Sequence, residues 1–303
     1  MAFEITLAGY NGKINETTLG RGKSRVIVGG ESAFPFYTYE GATPHTPHLA
    51  YSVWDCTPED WPAAIQKPYA DVLGDPVAWA RKCVSVFQAS LVALELKSLE
   101  APGDVCIEAV VGQVRRVAEA IDVPLIIWGS GQKEKDTAVL SRVTRELAGR
   151  NCILGPVEAS NYQELGPAIR DSGNIAAAST PIDINLAKQL NILLGNQGLS
   201  GTRLVMDPTV SSIGYGIEYC YSVMERTRLA ALTQEDVRLQ YPFICNLAGE
   251  VWKTKEAEEY GVFMEAISAV LLLVAGGDIV IMRHPQAIGL VHKMLCDLQQ
   301  TSS

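Results

Sequence analysis

The chain has 303 residues, 48% of them hydrophobic and 19% charged, with a formal net charge of −9. The length suits one large domain with a modest extension, and the acidic balance provides no basic stripe to neutralise nucleic-acid phosphates. No stretch reaches the roughly 20 uncharged residues that span a bilayer, and Met1–Glu4 lacks the features of a signal peptide, so we expect a cytoplasmic protein without membrane contact.

Residues 1–40 form an extension ahead of the main domain at 41–303. The short β-like pieces Phe3–Leu7, Ile14–Thr18 and Val26–Val28 are separated by glycines, which predicts a small antiparallel ribbon that closes the bottom of the domain. The following segment, 33–39, has four aromatic residues within six positions. It either packs against the main domain or docks a partner subunit.

From Leu49 to Met282 the chain repeats a short apolar run, a turn and an amphipathic helix. The eight apolar runs are Leu49–Val53, Leu91–Leu96, Pro124–Trp128, Cys152–Gly155, Asn174–Ala178, Arg203–Met206, Pro242–Asn246 and Asp278–Met282. Their starts lie 22 to 42 residues apart, about one strand–helix unit, and runs without polar alternation are typical of parallel strands covered on both faces. The pattern predicts an α/β fold, a single (β/α)8 TIM barrel, with its functional site at the strand ends.

Local signals mark the starts of two helices between the strands. Asp75 is the predicted N-cap of a helix over 76–88, and Pro76 takes its first position. The string Ser160-Asn161-Tyr162-Gln163 has the spacing of a capping box at the start of a later helix. Between these elements there is no low-complexity linker, so we expect no second large domain.

Seven cysteines are scattered along the chain without a C-x-x-C pair, which indicates reduced thiols and not a disulfide framework. Cys152 and Cys245 fall within predicted strands, and Cys83 falls on the apolar face of a helix. We expect these three to be buried as small hydrophobic side chains. The thiols are too dispersed to predict an iron–sulfur cluster in this chain.

The residues that follow the predicted strands are mostly small, hydroxyl-bearing or amide side chains. The candidate cofactor-binding residues are Ser130, Glu158, Ser160, Thr180, Asp207, Thr209 and Asn246. Asp207 either accepts hydrogen bonds from the N–H groups of a heterocycle or caps its own Asp-Pro turn through backbone amides. Asn246 either contacts a ligand or satisfies the backbone of a neighbouring loop.

Common catalytic motifs are incomplete at these strand ends. Two segments that begin at Gly129 and Gly214 start a G-x-G-x-x-G pattern, but their sixth positions are Glu134 and Tyr219. His284 is the one histidine among the strand-end residues, and no metal-ligand spacing or serine-hydrolase elbow is present. We therefore predict no catalytic residue and no metal site built by this chain.

Short strings spread over essentially the whole chain carry a family resemblance. They are Gly12–Asn15, Val28–Tyr37, Asp60–Pro62, Leu154–Glu158, Met206–Pro208 and Asn246–Trp252. Together and in this order, they resemble the small (delta) subunit of the corrinoid/iron–sulfur protein that serves acetyl-CoA synthase/CO dehydrogenase.

The resemblance implies a barrel related to pterin-dependent methyltransferases and a heterodimer with a large subunit. That large subunit would carry a [4Fe–4S] cluster, present in the partner chain only, and most of the attachment of a corrinoid (cobalamin) shared between the two. A methyl group from methyltetrahydrofolate would arrive through a separate methyltransferase and pass on cobalt to acetyl-CoA synthase/CO dehydrogenase. The resemblance thus implies that this barrel caps the corrinoid as a non-catalytic subunit.

Two other functions stay open. A barrel methyltransferase acting on its own would bind a reduced pterin, with Asp207 and Asn246 holding the pterin ring. A structural subunit would stabilise the large subunit without touching a cofactor. Binding of methyltetrahydrofolate to the isolated chain would favour the first of these.

Overall fold

Ten strands and ten α-helices make up the described part of the computed structural model, which covers residues 7–104, 106–199 and 201–301. The strands are β1 (Thr17–Leu19), β2 (Val26–Val28), β3 (His48–Trp54), β4 (Leu91–Glu95), β5 (Leu125–Trp128), β6 (Ile153–Val157), β7 (Ile175–Ser179), β8 (Leu204–Asp207), β9 (Phe243–Asn246) and β10 (Gly277–Met282). Strands β3 to β10 form a closed parallel barrel in chain order, with β10 beside β3. The predicted TIM barrel is confirmed, and each predicted run overlaps a strand whose ends differ by at most two residues.

Helices alternate with the barrel strands and cover their outer face. They are α1 (Ala63–Gln66), α2 (Pro76–Ser85), α3 (Ile107–Ala120), α4 (Lys133–Glu146), α5 (Tyr162–Ser172), α6 (Ile184–Asn196), α7 (Ile217–Thr233), α8 (Ala248–Trp252), α9 (Ala257–Val274) and α10 (Pro285–Thr301). No described helix is long and apolar enough to cross a bilayer.

The two predicted helix starts have different outcomes. Asp75 caps α2 as expected, because its carboxylate accepts the backbone N–H groups of Val77 and Ala78 at 2.9 and 3.1 Å. The capping box at Ser160 is wrong. Asn161 occupies the N-cap position of α5, but its side chain turns back to accept the N–H of Glu158 at 2.8 Å, so it closes the preceding loop instead of capping the helix.

The N-terminal ribbon is present and closes the strand-start end of the barrel. Strands β1 and β2 pair antiparallel, and Leu19, Val26 and Val28 pack in one cluster with barrel-interior residues. The N–H of Gly20 bonds to the carbonyl of Asn151, just before β6, at 3.0 Å. Of the predicted piece Phe3–Leu7, residues 3–6 lie outside the described residues, and the division of the chain at residue 40 stays a prediction.

The aromatic segment after the ribbon is less buried than expected from its composition. Phe34 packs against Tyr10 with ring centroids 5.9 Å apart. Phe36, Tyr37 and Tyr39 are exposed. Packing of the whole segment against the barrel is therefore wrong for these three rings, and docking of a partner subunit stays a prediction.

A buried ion pair joins β10 to α7 at the strand-start end. Arg228 donates to Asp278 at 2.6 Å, and its guanidinium lies 4.4 Å from the centre of the Phe243 ring. A cavity of about 510 Å³ adjoins this pair and is lined in part by Glu31. Burial, with a smaller effect from Asp278, raises the pKa of Glu31 to about 9. In barrel folds this end serves stability and ligands bind where the strands finish.

Candidate functional site

The carboxyl ends of the barrel strands form a mouth whose two halves differ in chemistry. The polar half, after β6 to β9, consists of Glu158, Ser179, Thr180, Asp207, Thr209 and Asn246. The aromatic half, around β10, β3 and β4, consists of Ser52, Trp54, Trp61, Glu95 and Arg283. Five of the seven predicted site residues belong to the polar half.

Asp207 organises the polar half from the end of β8. Its carboxylate accepts the Ser179 hydroxyl at 2.7 Å and the backbone N–H of Thr209 at 3.0 Å. The hydroxyl of Thr209 in turn donates to the carbonyl of Thr180 at 3.0 Å, and the N–H of Thr180 donates to the carbonyl of Asp207 at 3.1 Å. Asp207 therefore caps its own turn, one of the two roles expected, and links the ends of two neighbouring strands.

The environment of Asp207 favours its protonated form. Burial raises the pKa of this carboxyl to about 6, and the charge of Glu158 adds a smaller upward shift. The hydrogen bonds from Ser179 and Thr209 oppose the shift because they stabilise the charged form. Both carboxylate oxygens already have a donor from the chain itself.

Asn246 has an acceptor that no described group uses. It ends β9 and pairs with Ile281 of β10 in the barrel register. Its side-chain oxygen Oδ1 is buried and has no hydrogen-bond partner. A buried polar atom left unpaired costs about 1–3 kcal/mol. An unpaired acceptor at the end of a barrel strand indicates a position for the N–H donor of a ligand.

Glu158 and Ser160 lie on the loop after β6. The Ser160 hydroxyl is 3.2 Å from a carboxylate oxygen of Glu158 and donates to it. Ser160 itself is exposed. These two residues offer acceptors and a hydroxyl at the rim of the mouth.

Ser130 is engaged locally by a residue that the sequence reasoning did not single out. Asp136, in the first turn of α4, accepts the N–H and the hydroxyl of Ser130, both at 2.9 Å, and the N–H of Gly131 at 2.7 Å. A Cβ at Gly129 would lie 2.7 Å from the Asp136 carboxyl carbon, so this close approach needs glycine. The hydroxyl of Ser130 is thus used in closing its own loop. The sequence did contain a signal for this loop, an aspartate six positions after a serine that follows a predicted strand.

The aromatic half encloses a cation, Arg283, which the sequence analysis did not single out. The Arg283 guanidinium carbon lies 4.9 Å from the centre of the Trp54 ring and 4.6 Å from that of Trp61. Its Nη2 is 3.6 Å from a carboxylate oxygen of Glu95, which also accepts the Ser52 hydroxyl at 2.6 Å. Arg283 and Glu95 are both 2% exposed. The aromatic half therefore presents apolar and aromatic surface and pairs its two charges with each other, and it also contains three buried nitrogens without a hydrogen-bond partner, Trp54 Nε1, Trp61 Nε1 and Arg283 Nη2.

Backbone bonds lock the end of β10 behind this cation. The carboxylate of Glu265 on α9 accepts the N–H of Arg283 at 2.6 Å and that of His284 at 2.9 Å. The Nδ1 of His284 accepts the N–H of Gln286 at 3.1 Å, and its ring stacks on Trp252 with centroids 5.6 Å apart. His284 therefore serves the start of α10 and does not project into the polar half.

The thiols follow the expectation for buried hydrophobic side chains. Cys83, Cys152 and Cys245 are buried, and burial is the main cause that raises the pKa of each thiol. Within the described ranges, no three His, Cys, Asp or Glu side chains are grouped so that they could hold a metal ion.

Comparison with known sequences gives a match over almost the whole chain. Residues 16–298 match the family model described as CO dehydrogenase/acetyl-CoA synthase delta subunit. A protein of Archaeoglobus fulgidus named acetyl-CoA decarbonylase/synthase complex subunit delta is 33% identical, over 96% of this chain and 70% of its own length. The subunit of the same name from Methanothermobacter thermautotrophicus is 31% identical, over 96% of this chain and 77% of its own length.

Comparison with solved structures finds similar barrels with unrelated sequences. The 7,8-dihydropteroate synthase of Vibrio fischeri superposes with a TM-score of 0.60 at 12% identity, covering 89% of this chain and 98% of the other. The dihydropteroate synthase of Xanthomonas albilineans, solved with 7,8-dihydropteroate, has a TM-score of 0.59 at 14% identity, covering 89% of this chain and 99% of the other. At such identities the likeness supports the fold alone.

Proposed function

Because the chain belongs to the CO dehydrogenase/acetyl-CoA synthase delta subunit family, we propose that its barrel mouth covers one face of a protein-bound corrinoid. In this proposal the corrinoid (cobalamin) is shared with a large subunit, which also carries a [4Fe–4S] cluster. When bound, the corrinoid supplies the cobalt on which a methyl group is carried. Methyltetrahydrofolate:corrinoid methyltransferase is the proposed donor and acetyl-CoA synthase/CO dehydrogenase the proposed acceptor.

One observation supports the binding of a corrinoid at this mouth. The edge of a corrin ring bears carboxamides, whose N–H groups need acceptors, and the Oδ1 of Asn246 is a buried acceptor without a donor. Thr209 is exposed beside it in the polar half, and Glu158 and Ser160 offer further acceptors at the rim. Ser130 contributes through the shape of its loop, since its hydroxyl already bonds to Asp136.

The two halves of the mouth have different tasks in this proposal. Small side chains of the polar half bind the edge of the ring, while Thr180 and Asp207 hold the strand ends in register beneath it. The aromatic half presents a rigid surface that excludes water from the covered face, where a reactive metal would otherwise be exposed to solvent. The barrel must separate from this face when a methyl donor or acceptor approaches.

The alternative of a pterin-binding methyltransferase acting on its own is not favoured. Both oxygens of Asp207 already accept donors from Ser179 and Thr209. The relatives at about 30% identity are named as subunits of a complex. Titration of the isolated chain with methyltetrahydrofolate measures this directly, and micromolar binding without any partner would restore the alternative.

Retention of corrinoid tests the proposal. The chain is co-expressed with the other subunits of its complex, and corrinoid is quantified by absorbance after anaerobic purification. A variant with alanine at Thr180, Asp207 and Asn246 should retain about tenfold less corrinoid, because the loss of one or two hydrogen bonds to the ring costs about 1–2 kcal/mol.

Asn196→Ala is the matched control, since Asn196 is an exposed asparagine at the far end of α6. The control should retain corrinoid as the unaltered chain does. If the triple variant also keeps its corrinoid and its methyl-transfer rate, the mouth does not bind the ring and the proposal is wrong.

A further inference from the structure

Exposed large apolar side chains are distributed unevenly over the outside of the barrel. In the described residues from 63 to 181, Val86 is the one large apolar side chain that is exposed. The side formed by α6, α7, α9 and α10 carries many more. Six of them are Leu186, Tyr219, Tyr260, Phe263, Ile267 and Leu290. A concentration of exposed apolar surface on one side of a soluble domain marks a site of association.

The centre of this side is a continuous stripe on α9. Tyr260, Phe263, Ile267 and Val274, the α9 stripe, are separated by three, four and seven residues and therefore share one face of the helix. The stripe runs about 21 Å along α9, at 1.5 Å per residue. Phe263 is 60% exposed, and Tyr219 on the neighbouring α7 is 65% exposed. This face of α9 is the length of an ordinary helix-packing contact, and no described element of the chain covers it.

The α9 stripe begins beside the mouth. Strand β9 ends at Asn246, α8 follows at once, and α9 starts five residues after α8 ends. Tyr215, in the loop before α7, donates its hydroxyl to Glu256 just ahead of α9. The stripe thus starts at the end of the barrel that holds the mouth, and a protein packed on it lies near the strand ends.

Charges around the α9 stripe indicate which kind of molecule covers it. Helix α9 contains no Lys or Arg, and its first turn exposes Glu258 and Glu259, which outnumber the exposed Lys255 just before the helix. Glu218, next to Tyr219, is exposed as well. An anionic membrane surface would repel these carboxylates. A second copy packed antiparallel on the same stripe would bring to them the C-terminal end of its α9, which is also negative because of the helix dipole.

We propose that the α9 stripe, together with Tyr219, is the docking surface for a different protein subunit, one with an apolar face bordered by Lys or Arg at the mouth end. Apolar burial supplies the affinity, and the acidic turn of α9 fixes the orientation. That this partner is the chain holding the corrinoid rests on the proposed function. The docking surface itself rests on the exposed residues and their charges.

Site-specific cross-linking in the assembled complex tests the surface. A photo-reactive phenylalanine analogue is placed at Phe263 and, as a matched control, at Val86, which is 61% exposed just after α2, outside the side formed by α6, α7, α9 and α10. We expect the Phe263 position to cross-link to another subunit, at a peptide with Lys or Arg nearby, and the Val86 position to give no such product. A cross-link from Phe263 to a second copy of this chain, or none at all, would overturn the proposal.

Affinity measurements on charged variants provide the second readout. Phe263→Glu combined with Ile267→Glu should weaken binding to the cross-linked subunit at least about 30-fold, since central aromatic contacts dominate interfaces. Val86→Glu should bind as the unaltered chain does, and circular dichroism should show both variants folded. Glu258→Lys should weaken binding less, with most of the effect on the association rate. Unchanged affinity in the double variant contradicts the proposal.

Corrinoid content separates this inference from the proposed function. If the α9 double variant loses its partner while the alanine variant at Thr180, Asp207 and Asn246 keeps its corrinoid and its methyl-transfer rate, the docking surface stands and the proposed function fails. If that alanine variant loses corrinoid while the α9 double variant binds normally, the proposed function stands and the docking surface fails.

Discussion

The two halves of the barrel mouth stand on the same parallel strands but differ in the size of their side chains and in the kind of polar group that they leave unpaired. In the aromatic half, Arg283 is stacked between two tryptophans and paired with Glu95, and both charges are 2% exposed. In the polar half the side chains are small, and the buried group without a partner is an acceptor, Asn246 Oδ1, whereas the unpaired groups of the aromatic half are donors on Trp54, Trp61 and Arg283. Large side chains therefore fill part of a barrel mouth, which then resembles a protein core, whereas small side chains leave a surface open for binding.

The largest expected effect is the loss of the buried counter-charge in the aromatic half. Glu95→Ala leaves the Arg283 cation buried without the carboxylate 3.6 Å away and should lower the free energy of unfolding by about 3–5 kcal/mol. Urea unfolding at pH 7 measures it. Glu100→Ala, which removes an exposed carboxylate paired with Lys97, should cost less than about 1 kcal/mol. Equal losses for the two variants would contradict the core-like character of this half.

A pH-dependent effect of similar origin is expected in the polar half. Because burial raises the pKa of Asp207 to about 6, the folded state binds the proton more tightly than the unfolded chain. The contribution of Asp207 to stability therefore falls as pH rises from about 4 to about 6 and is constant above that range.

The variant Asp207→Asn removes this dependence. Relative to the unaltered chain, it should gain about 3 kcal/mol in free energy of unfolding between pH 4 and pH 7, which is about two pKa units at 1.36 kcal/mol each. Denaturant titrations at the two pH values measure the gain. A constant difference between the two proteins across this range would mean that Asp207 is not in the buried environment described.

A smaller gain in stability is expected from a substitution at Asn246. The variant Asn246→Leu removes a buried oxygen that lacks a donor and should raise the free energy of unfolding by about 1 kcal/mol. The same change should reduce corrinoid retention in the assembled complex. Thermal melts and corrinoid absorbance are the two measurements, with Asn196→Leu as the matched control. Loss of stability together with full corrinoid retention would reverse the role given to this residue.

The smallest effect is expected at the edge of the aromatic half. The Lys97 amine lies 5.7 Å from the centre of the Trp54 ring and also pairs with Glu100, but both of its partners are accessible to water. Lys97→Met should therefore change the free energy of unfolding by less than about 1 kcal/mol. A thermal melt compares it with Glu95→Ala. A loss as large as that of Glu95→Ala would show that the edge and the centre of this half act as one unit.

Local sequence patterns predicted those features of the fold that depend on residues close together in the chain. The eight strands, the Asp75 cap and the position of Asp207 follow from apolar runs and turn residues, and the structure has them. The prediction at Ser160 failed because Asn161 bonds to Glu158 in place of capping its helix. Capping-box spacing is met by chance in loops, and which donor a side chain takes depends on the fold of the loop.

Such patterns could not predict the contacts in the mouth between residues that are far apart in the chain. The Arg283 Nε lies 3.4 Å from the hydroxyl of Ser52, 231 positions earlier in the chain. Nothing in the spacing of Trp54, Trp61 and Glu95 indicates a shared cation. The missed role of Asp136 is different, because it lies six residues from Ser130 and was accessible to sequence reasoning.

The sequence by itself determined the barrel and the end of it that carries the candidate site, because strand–helix periodicity is a local property that the order of apolar residues sets. The tertiary structure decided which strand-end residues meet, because closure of the barrel by β10 on β3 brings the last strand to the first. It also decided which apolar residues stay uncovered. The face of α9 with Phe263 and Ile267 has ordinary helical spacing, and only the packing of its neighbours shows that one apolar side is left to solvent.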